Sequence, residues 1–343
     1  MARPAHLEPS KLGTKEYWDA LYTTEIANHA HDPADTGTAW FDDSDAETKL
    51  LEFLEEPERA VELGLDTATT SFLDLGTGNG ALLFALRDAG WDGPMLGVDY
   101  SAQSVRFARR IERARRTPAD ERGINGEKDE DDNGDIAKED IEREEREEDE
   151  ENDDVGGEVD VHFAEHDILH TPAMALLDAR FSPSVAAAGW DVVLDKGTFD
   201  AISLSAETLD GAATATATTT AVTNDSSARP RRVHEAYGAR VLPLVREGGL
   251  FLITSCNWTE EELRSWFEGD GALQMIPTSA STLGGHENGN GNGNGNGNEE
   301  QQQEIYWGFE VVGRVEYRSF SFGGVKGQTI SSLCFRKVRK SSR

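Results

Sequence analysis

Along this chain the apolar positions keep two rhythms, one of period two and one near 3.6, and the two take turns. Behind Ser44-x-x-Glu47, a pattern that predicts a capping box, Ala46, Leu50, Phe53 and Leu54 fall on one helical face. An apolar run over 71–75 predicts a strand, Gly76-Thr-Gly78-Asn-Gly80 turns it, and 81–89 predicts a helix. A second strand over 95–99 is followed by Ser101 as N-cap of a helix that aligns Val105, Ala108 and Ile111. Residues 159–164 alternate as a strand that ends before Asp167, and 190–195 has the pattern of a short buried strand. A helix carrying Val233, Tyr237, Val241 and Leu244 leads through Gly248-Gly249 into a strand over 250–254. Thr259-x-x-Glu262 predicts one more capped helix, and 309–320 and 329–338 close the chain as extended segments. Repeated strand–helix units predict an α/β fold with a doubly wound, mostly parallel sheet and a ligand at the carboxyl ends of its strands.

Three stretches break the rhythm. About 118–157 is acidic and poor in aromatics, about 206–232 holds a Thr/Ala tract and then Asn-Asp-Ser-Ser, and about 279–304 alternates Gly and Asn before three glutamines. Such composition buries too little apolar surface to offset ordering entropy, so all three are expected to be disordered loop insertions. Setting them aside leaves about 250 of 343 residues, enough for one domain over 1–343 with three inserts. Lys plus Arg total 33 against 65 Asp plus Glu, a net charge of −32. Residues 120–154 alone hold 20 acids and 5 bases. That field repels nucleic acid and anionic lipid and favours a basic partner. Two cysteines, Cys256 and Cys334, make no disulfide framework, and no apolar run reaches the roughly 20 residues that cross a bilayer. The expectation is a cytoplasmic monomer without nucleic-acid or membrane partners.

Chemistry is concentrated at Asp74-Leu-Gly76-Thr-Gly78-Asn-Gly80, between a strand and a helix. Glycines allow a tight turn and close approach of a ligand, but the spacing is GxGxG, not the GxGxxG of dinucleotide sites. Asp74 would oppose a pyrophosphate and suits a ligand with an ammonium group. Asp99 ends the next strand, where a carboxylate accepts both hydroxyls of a ribose. With Asp167 at a third strand end, the set points to S-adenosylmethionine; an ordinary glycine turn with helix-capping acids is the plainer alternative.

The packed residues resemble the class I, seven-strand methyltransferases, whose fold is a Rossmann-like doubly wound sheet. The resemblance implies that Asp74 lies near the methionine end of S-adenosylmethionine, that Asp99 binds the ribose, and that Gly76, Gly78 and Gly80 line both. It also implies that Asp167, with Ile168, reaches the adenine amino group and that Tyr100 covers the adenine. Leu12-Gly-Thr-Lys-Glu-Tyr17-Trp18, Trp40-Phe41, Asp195-Lys-Gly-Thr-Phe-Asp200-Ala-Ile and Thr254-Ser-Cys-Asn257-Trp258-Thr narrow the likeness. Together they are similar to the protein-lysine methyltransferases of translation elongation factor 1A, of the methyltransferase-like-ten type. The three inserts depart from that pattern. The implied activity is protein-lysine N-methylation with elongation factor 1A as partner; the alternatives are a small-molecule methyltransferase and a non-catalytic cofactor-binding scaffold.

Asp195 follows the fourth strand, where the acceptor nitrogen meets the methyl group in this fold, and is the candidate to accept or orient its proton; a structural turn carboxylate is the alternative. Asp200 is expected to cap the helix that begins near Phe199. Asn257 and Trp258, on the same rim, either wall a channel for a lysine stem or, for Trp258, fill the core. Tyr17, Trp18, Trp40 and Phe41 match the segment that covers the cofactor, though amphipathic packing accounts for them too. No Asn/Asp-Pro-Pro-aromatic segment of base-amino methyltransferases follows the fourth strand. His162, His166 and His170 have metal spacing only on a helix, and their strand-like setting predicts no metal site.

Overall fold

The strands Phe72–Leu75 and Met95–Asp99, in the middle of the parallel half, are buried end to end, because helices cover both faces of the sheet there and leave no polar side to alternate with. A computed structural model of the chain describes residues 4–116, 161–209, 230–269, 274–275, 305–322 and 325–341. The elements run α1 (Lys15–His31), α2 (Ala46–Glu55), α3 (Pro57–Leu63), β1 (Phe72–Leu75), α4 (Ala81–Asp88), β2 (Met95–Asp99), α5 (Ala102–Arg116) and β3 (His162–Glu165). Then follow α6 (Pro183–Ala188), β4 (Trp190–Lys196), α7 (Thr198–Ser203), α8 (Tyr237–Val241), β5 (Val245–Ser255) and α9 (Glu260–Phe267). The chain closes with β6 (Gln274–Met275), β7 (Ile305–Val315), a hairpin of β8 (Ser319–Phe322) and β9 (Val325–Gln328), and β10 (Ser331–Ser341).

The main sheet has the order β3-β2-β1-β4-β5-β10-β7-β6. Strands β1 to β5 pair in parallel, β10 runs antiparallel to both β5 and β7, and the two-residue β6 extends the edge. With the short β6 set aside, the seven strands β3-β2-β1-β4-β5-β10-β7, with β10 reversed, form the class I methyltransferase sheet expected from the resemblance. One face packs Phe72, Val192, Leu194, Leu250 and Leu252 against α1 to α5. The other packs Leu73, Leu75, Val193, Phe251 and Ile253 against α6 to α9.

Several elements differ from the pattern-based expectation. The Ser44 capping box does not form: Asp45, at φ 54°, precedes α2, and the Ser44 hydroxyl instead meets Thr329 at 2.9 Å. Helix α2 nonetheless buries Ala46, Leu50, Phe53 and Leu54 as its spacing predicts. Gly248 and Gly249 do not separate helix from strand. They sit within β5, where the register jumps from Trp190↔Val245 to Val192↔Leu250. The segment over 233–244 splits into a 3-10 turn and the short α8, with Val233, Tyr237, Val241 and Leu244 all buried. The inserts over 118–157 and 279–304 lie outside the described residues. The ends of the third pair with each other, through the bridge Thr208↔Arg232 and a Leu209 N–H to Arg231 carbonyl bond of 2.9 Å. Among the described residues no helix is long and apolar enough to cross a membrane.

Candidate functional site

At the carboxyl ends of β1, β2 and β4 opens a cavity of about 380 Å³, within the size range of small-molecule sites. The turn after β1 forms its floor. The N–H groups of Gly76 and Thr77 both reach the carbonyl of Val98, at 2.8 and 3.0 Å, which ties the turn to β2. Gly76 and Gly78 take left-handed φ of 69° and 59°, and both line the cavity. A Cβ on Gly76 would stand 1.9 Å from Thr198 Oγ1, so only glycine fits. Gly80 does not line the cavity: it sits against Phe163 and Phe84 at the start of α4, where its role is packing.

Asp74 is 3 % exposed and faces the cavity. Burial raises its pKa to about 7, against the nearby Thr77 hydroxyl and the charge of Lys196, which favour the ionised form. Asp99, 7 % exposed, accepts the Gly78 N–H at 3.2 Å and the Ser101 N–H at 2.9 Å and also lines the cavity. Burial pushes its pKa up while those hydrogen bonds and one from Ser104 pull it down. The far end is walled by Tyr100, His166, Asp167, Ile168 and Leu169. Asp167 accepts the Leu169 N–H at 2.9 Å and meets His170 Nδ1 at 2.8 Å, and the other ring nitrogen of His170 meets Glu207 at 2.7 Å. Burial opposes the charged His170 ring, but the two carboxylates outweigh it and raise its pKa. Among the described residues no group of three His, Cys, Asp or Glu side chains is arranged to hold a metal ion.

The β4 rim departs from expectation. Asp195 does not line the cavity. Only 1 % exposed, its carboxylate accepts the N–H groups of Thr198 at 2.8 Å and Phe199 at 3.0 Å and the Tyr237 hydroxyl at 2.7 Å. It is the carboxylate that holds the start of α7, and burial raises its pKa to about 7. Asp200 exchanges places with it. Rather than capping, Asp200 lines the cavity and receives the Ser255 hydroxyl and the Cys256 N–H, the latter at 2.7 Å, which shapes the loop after β5. Burial raises the Asp200 pKa despite these bonds. Asn257 lines the cavity; Trp258 does not. Its ring is 3 % exposed in the core with its N–H donated to Ser203 at 3.2 Å, so of its two readings core filling holds.

The cover comes from the N-terminal segments. Trp18, Trp40 and Phe41 line the cavity; Tyr17 does not, and packs edge-on to Trp18 beneath Lys11. Helix α1, which the pattern did not announce, is fixed over β2 by Ser101 donating to Asp19 at 2.6 Å, and places Tyr22 where a Gly78 Cβ would be 2.7 Å from its hydroxyl. The connection from α1 to α2 is held by Asn79 donating to the Thr36 carbonyl at 2.7 Å and by Lys196, whose Nζ donates to the Trp40 carbonyl at 3.2 Å and pairs with Glu47 at 3.2 Å. Seven carboxylates line the whole cavity (Glu16, Glu47, Asp74, Asp99, Asp167, Asp200, Glu207) against two lysines, Lys15 and Lys196. The cavity therefore selects cationic ligands.

Known proteins resemble the chain in the same terms. Residues 66–120 match the family model of a methyltransferase domain. Protein-lysine N-methyltransferase EFM4 of Saccharomyces cerevisiae is 31% identical over 337 residues, 98% of this chain and 99% of that protein. EEF1A lysine methyltransferase 2 of Homo sapiens is 29% identical over 278 residues, 81% of this chain and 82% of that protein. Among solved structures, magnesium protoporphyrin IX methyltransferase of Synechocystis PCC 6803 aligns over 94% of this chain and 96% of that one, with 10% identity and a TM-score of 0.40.

Proposed function

The chain belongs to the class I, S-adenosylmethionine-dependent methyltransferases, in the family of EFM4 and EEF1A lysine methyltransferase 2, and we propose that it methylates a lysine of translation elongation factor 1A. The likeness to EFM4 over 98% of this chain supports a protein lysine as acceptor, the likeness to EEF1A lysine methyltransferase 2 supports elongation factor 1A as the protein, and the acidic lining of the cavity supports a cationic acceptor. The cofactor fits the residues present. Asp74, a buried carboxylate facing the cavity, suits the ammonium at the methionine end. Asp99 retains acceptor capacity for ribose hydroxyls beside its two backbone bonds. Tyr100, Asp167 and Ile168 wall the adenine end, and Gly76 and Gly78 leave room between.

The bound cofactor supplies an electrophilic methyl group on a sulfonium. The chain must present a neutral amine to it. A free lysine with a pKa near 10.4 lies about 3.4 units from neutral at pH 7, a handicap of roughly 4 to 5 kcal/mol. Asp200 beyond β4 and Asn257 beyond β5, both on the cavity wall, are the groups proposed to align the ammonium, and Asp200, its proton affinity raised by burial, to take the departing proton. Trp40 and Phe41 exclude water from the lysine stem. Incubating purified elongation factor 1A with the enzyme and S-adenosylmethionine, with intact-mass and peptide mapping, tests the reading. Methyl increments on one lysine are expected. Label on arginine, a histidine ring, RNA or only small molecules in a cell lysate would overturn it.

A further inference from the structure

We propose that Lys196 is a positioning residue: one ammonium both pins the connection between α1 and α2 over the cofactor cavity and supports the negative charge with which Asp74 receives the cofactor. The inference rests on the cofactor site, not on elongation factor 1A as substrate.

The mechanical half is a matter of contacts. Lys196 ends β4 with its side chain only 13% exposed, and its Nζ reaches the Trp40 carbonyl and Glu47, each at 3.2 Å. The next residue, Gly197, has φ 95°, and a Cβ there would stand 3.3 Å from the Phe41 ring. The Trp40 carbonyl, the Phe41 ring and Glu47 at the start of α2 therefore all meet two consecutive residues at the β4 end, while Asn79 and Glu25 hold the earlier part of the connection. Phe41 holds φ 66°, a left-handed conformation costly for a bulky side chain and kept only where the surroundings over-determine it. Trp40 and Phe41 both line the cavity, so whatever fixes them fixes its roof.

The electrostatic half follows from what faces Asp74. Lys196 from β4 favours its ionised form, while Glu47 from α2 and Asp99 from β2 oppose it. The Thr77 hydroxyl also supports the carboxylate, and the buried hydroxyls of Tyr22 on α1 and Tyr237 on α8 sense its charge. Lys196 is the one cation in that set. A cation so near a site for another cation would repel it, but Glu47 offsets the ammonium at 3.2 Å. Lys196 and Glu47 are thus opposed controls on a single carboxylate, and one salt bridge links them to the roof.

Calorimetric titration of the full chain with S-adenosylhomocysteine, which keeps the ammonium group, tests this between about pH 5.5 and 8.5. The amine of the ligand titrates alike for every variant, so a midpoint that differs between variants belongs to the protein. In the wild type, affinity rises with pH through a midpoint near 7, as Asp74 ionises. Lys196→Met should move that midpoint up by about one pH unit, and Glu47→Gln should move it down by less. Lys196→Arg should restore it. Hydrogen exchange over 33–45 should quicken in Lys196→Met and not in Lys196→Arg. Unchanged midpoints, or shifts of the same sign in Lys196→Met and Glu47→Gln, would overturn the proposal. Should Lys196→Met fail to fold, Glu47→Gln against Lys196→Arg still decides the electrostatic half. A wild type that binds no S-adenosylhomocysteine removes the cofactor site and this inference together, whatever its action on elongation factor 1A.

Discussion

Asp74 and Asp195 end neighbouring strands, both are buried, and burial raises both to about 7. They nonetheless do opposite things. In the β1–β4 ladder Asp74 pairs with Leu194 and Asp195 with Leu75, so the two carboxylates are one residue out of step and point to opposite faces of the sheet. Asp74 shares its face with Asp99, which lies two residues beyond Gly97, its β2 partner in register. That face carries α1, α4, α5 and the cavity. Asp195 shares the face of Val193 and Phe199, where Tyr237 and the first amides of α7 use it fully. Of these two carboxylates, the parity of the register decides which faces the cavity and which fastens a helix.

The hardest test of that division is where the faces meet. The Thr198 hydroxyl crosses to the Leu75 carbonyl at 2.6 Å, directly beneath Gly76. Gly76→Ala would force a methyl to within 1.9 Å of that hydroxyl at φ 69°, and should cost about 3 kcal/mol of stability and abolish cofactor binding, read by chemical denaturation and calorimetry. Next is Asp195→Ala, which strands a buried hydroxyl and two amides and should lower stability by about 2 to 3 kcal/mol. Asp195→Asn keeps one acceptor oxygen for the amides and can turn its NH2 towards the Tyr237 oxygen, and turnover should remain within a few-fold of wild type. A ten- to thousandfold loss of turnover in that variant, the range of positioned acid–base groups, with cofactor affinity intact, would return Asp195 to the chemistry and erase the distinction. On the other face Asp99→Ala should weaken S-adenosylmethionine at least tenfold by calorimetry, since a hydrogen bond to a charged group contributes about 1.5 to 3 kcal/mol. The smallest effect is in the pH dependence of stability. Asp195 is raised from 3.8 to about 7 in the folded chain, so the stability it lends is fully present below about pH 4 and lost as pH rises through 7. Asp195→Asn should flatten the fall in melting temperature between pH 5 and 8 that the wild type shows.

The floor of the cavity was readable because one contiguous strand–turn–helix carries it. Asp74, Gly76 and Gly78 are placed by φ and by bonds spanning a few residues, and Asp99 by the next strand. The exchange between Asp195 and Asp200 was not readable, since which of two carboxylates five residues apart enters the cavity depends on inter-strand register and on Tyr237, 42 residues downstream of Asp195. Gly80 was misjudged for a similar reason: its neighbour Phe163 comes from β3, across an insert. The cover was hidden by composition. Helix α1 buries Glu25 and His29 beside Tyr22 and Ile26, so no clean apolar stripe marks it. Glu25 is retained there because it accepts the Thr38 N–H at 2.9 Å.

The reversed strand β10 sets an order of assembly. It lies between β5 and β7, pairing Ser332 with Thr254 on one side and with Val315 on the other. Strand β7 is therefore made before the strand that joins it to the sheet, and among the described residues its other neighbour is the two-residue β6. On a growing chain β1 to β5 are all made before β7, which waits with an open edge until the last strand slides in. Chaperones that shield unpaired strands have their natural target in that interval, and mutations that slow the insertion of β10 would be felt as lost yield of protein rather than as lost affinity for the cofactor.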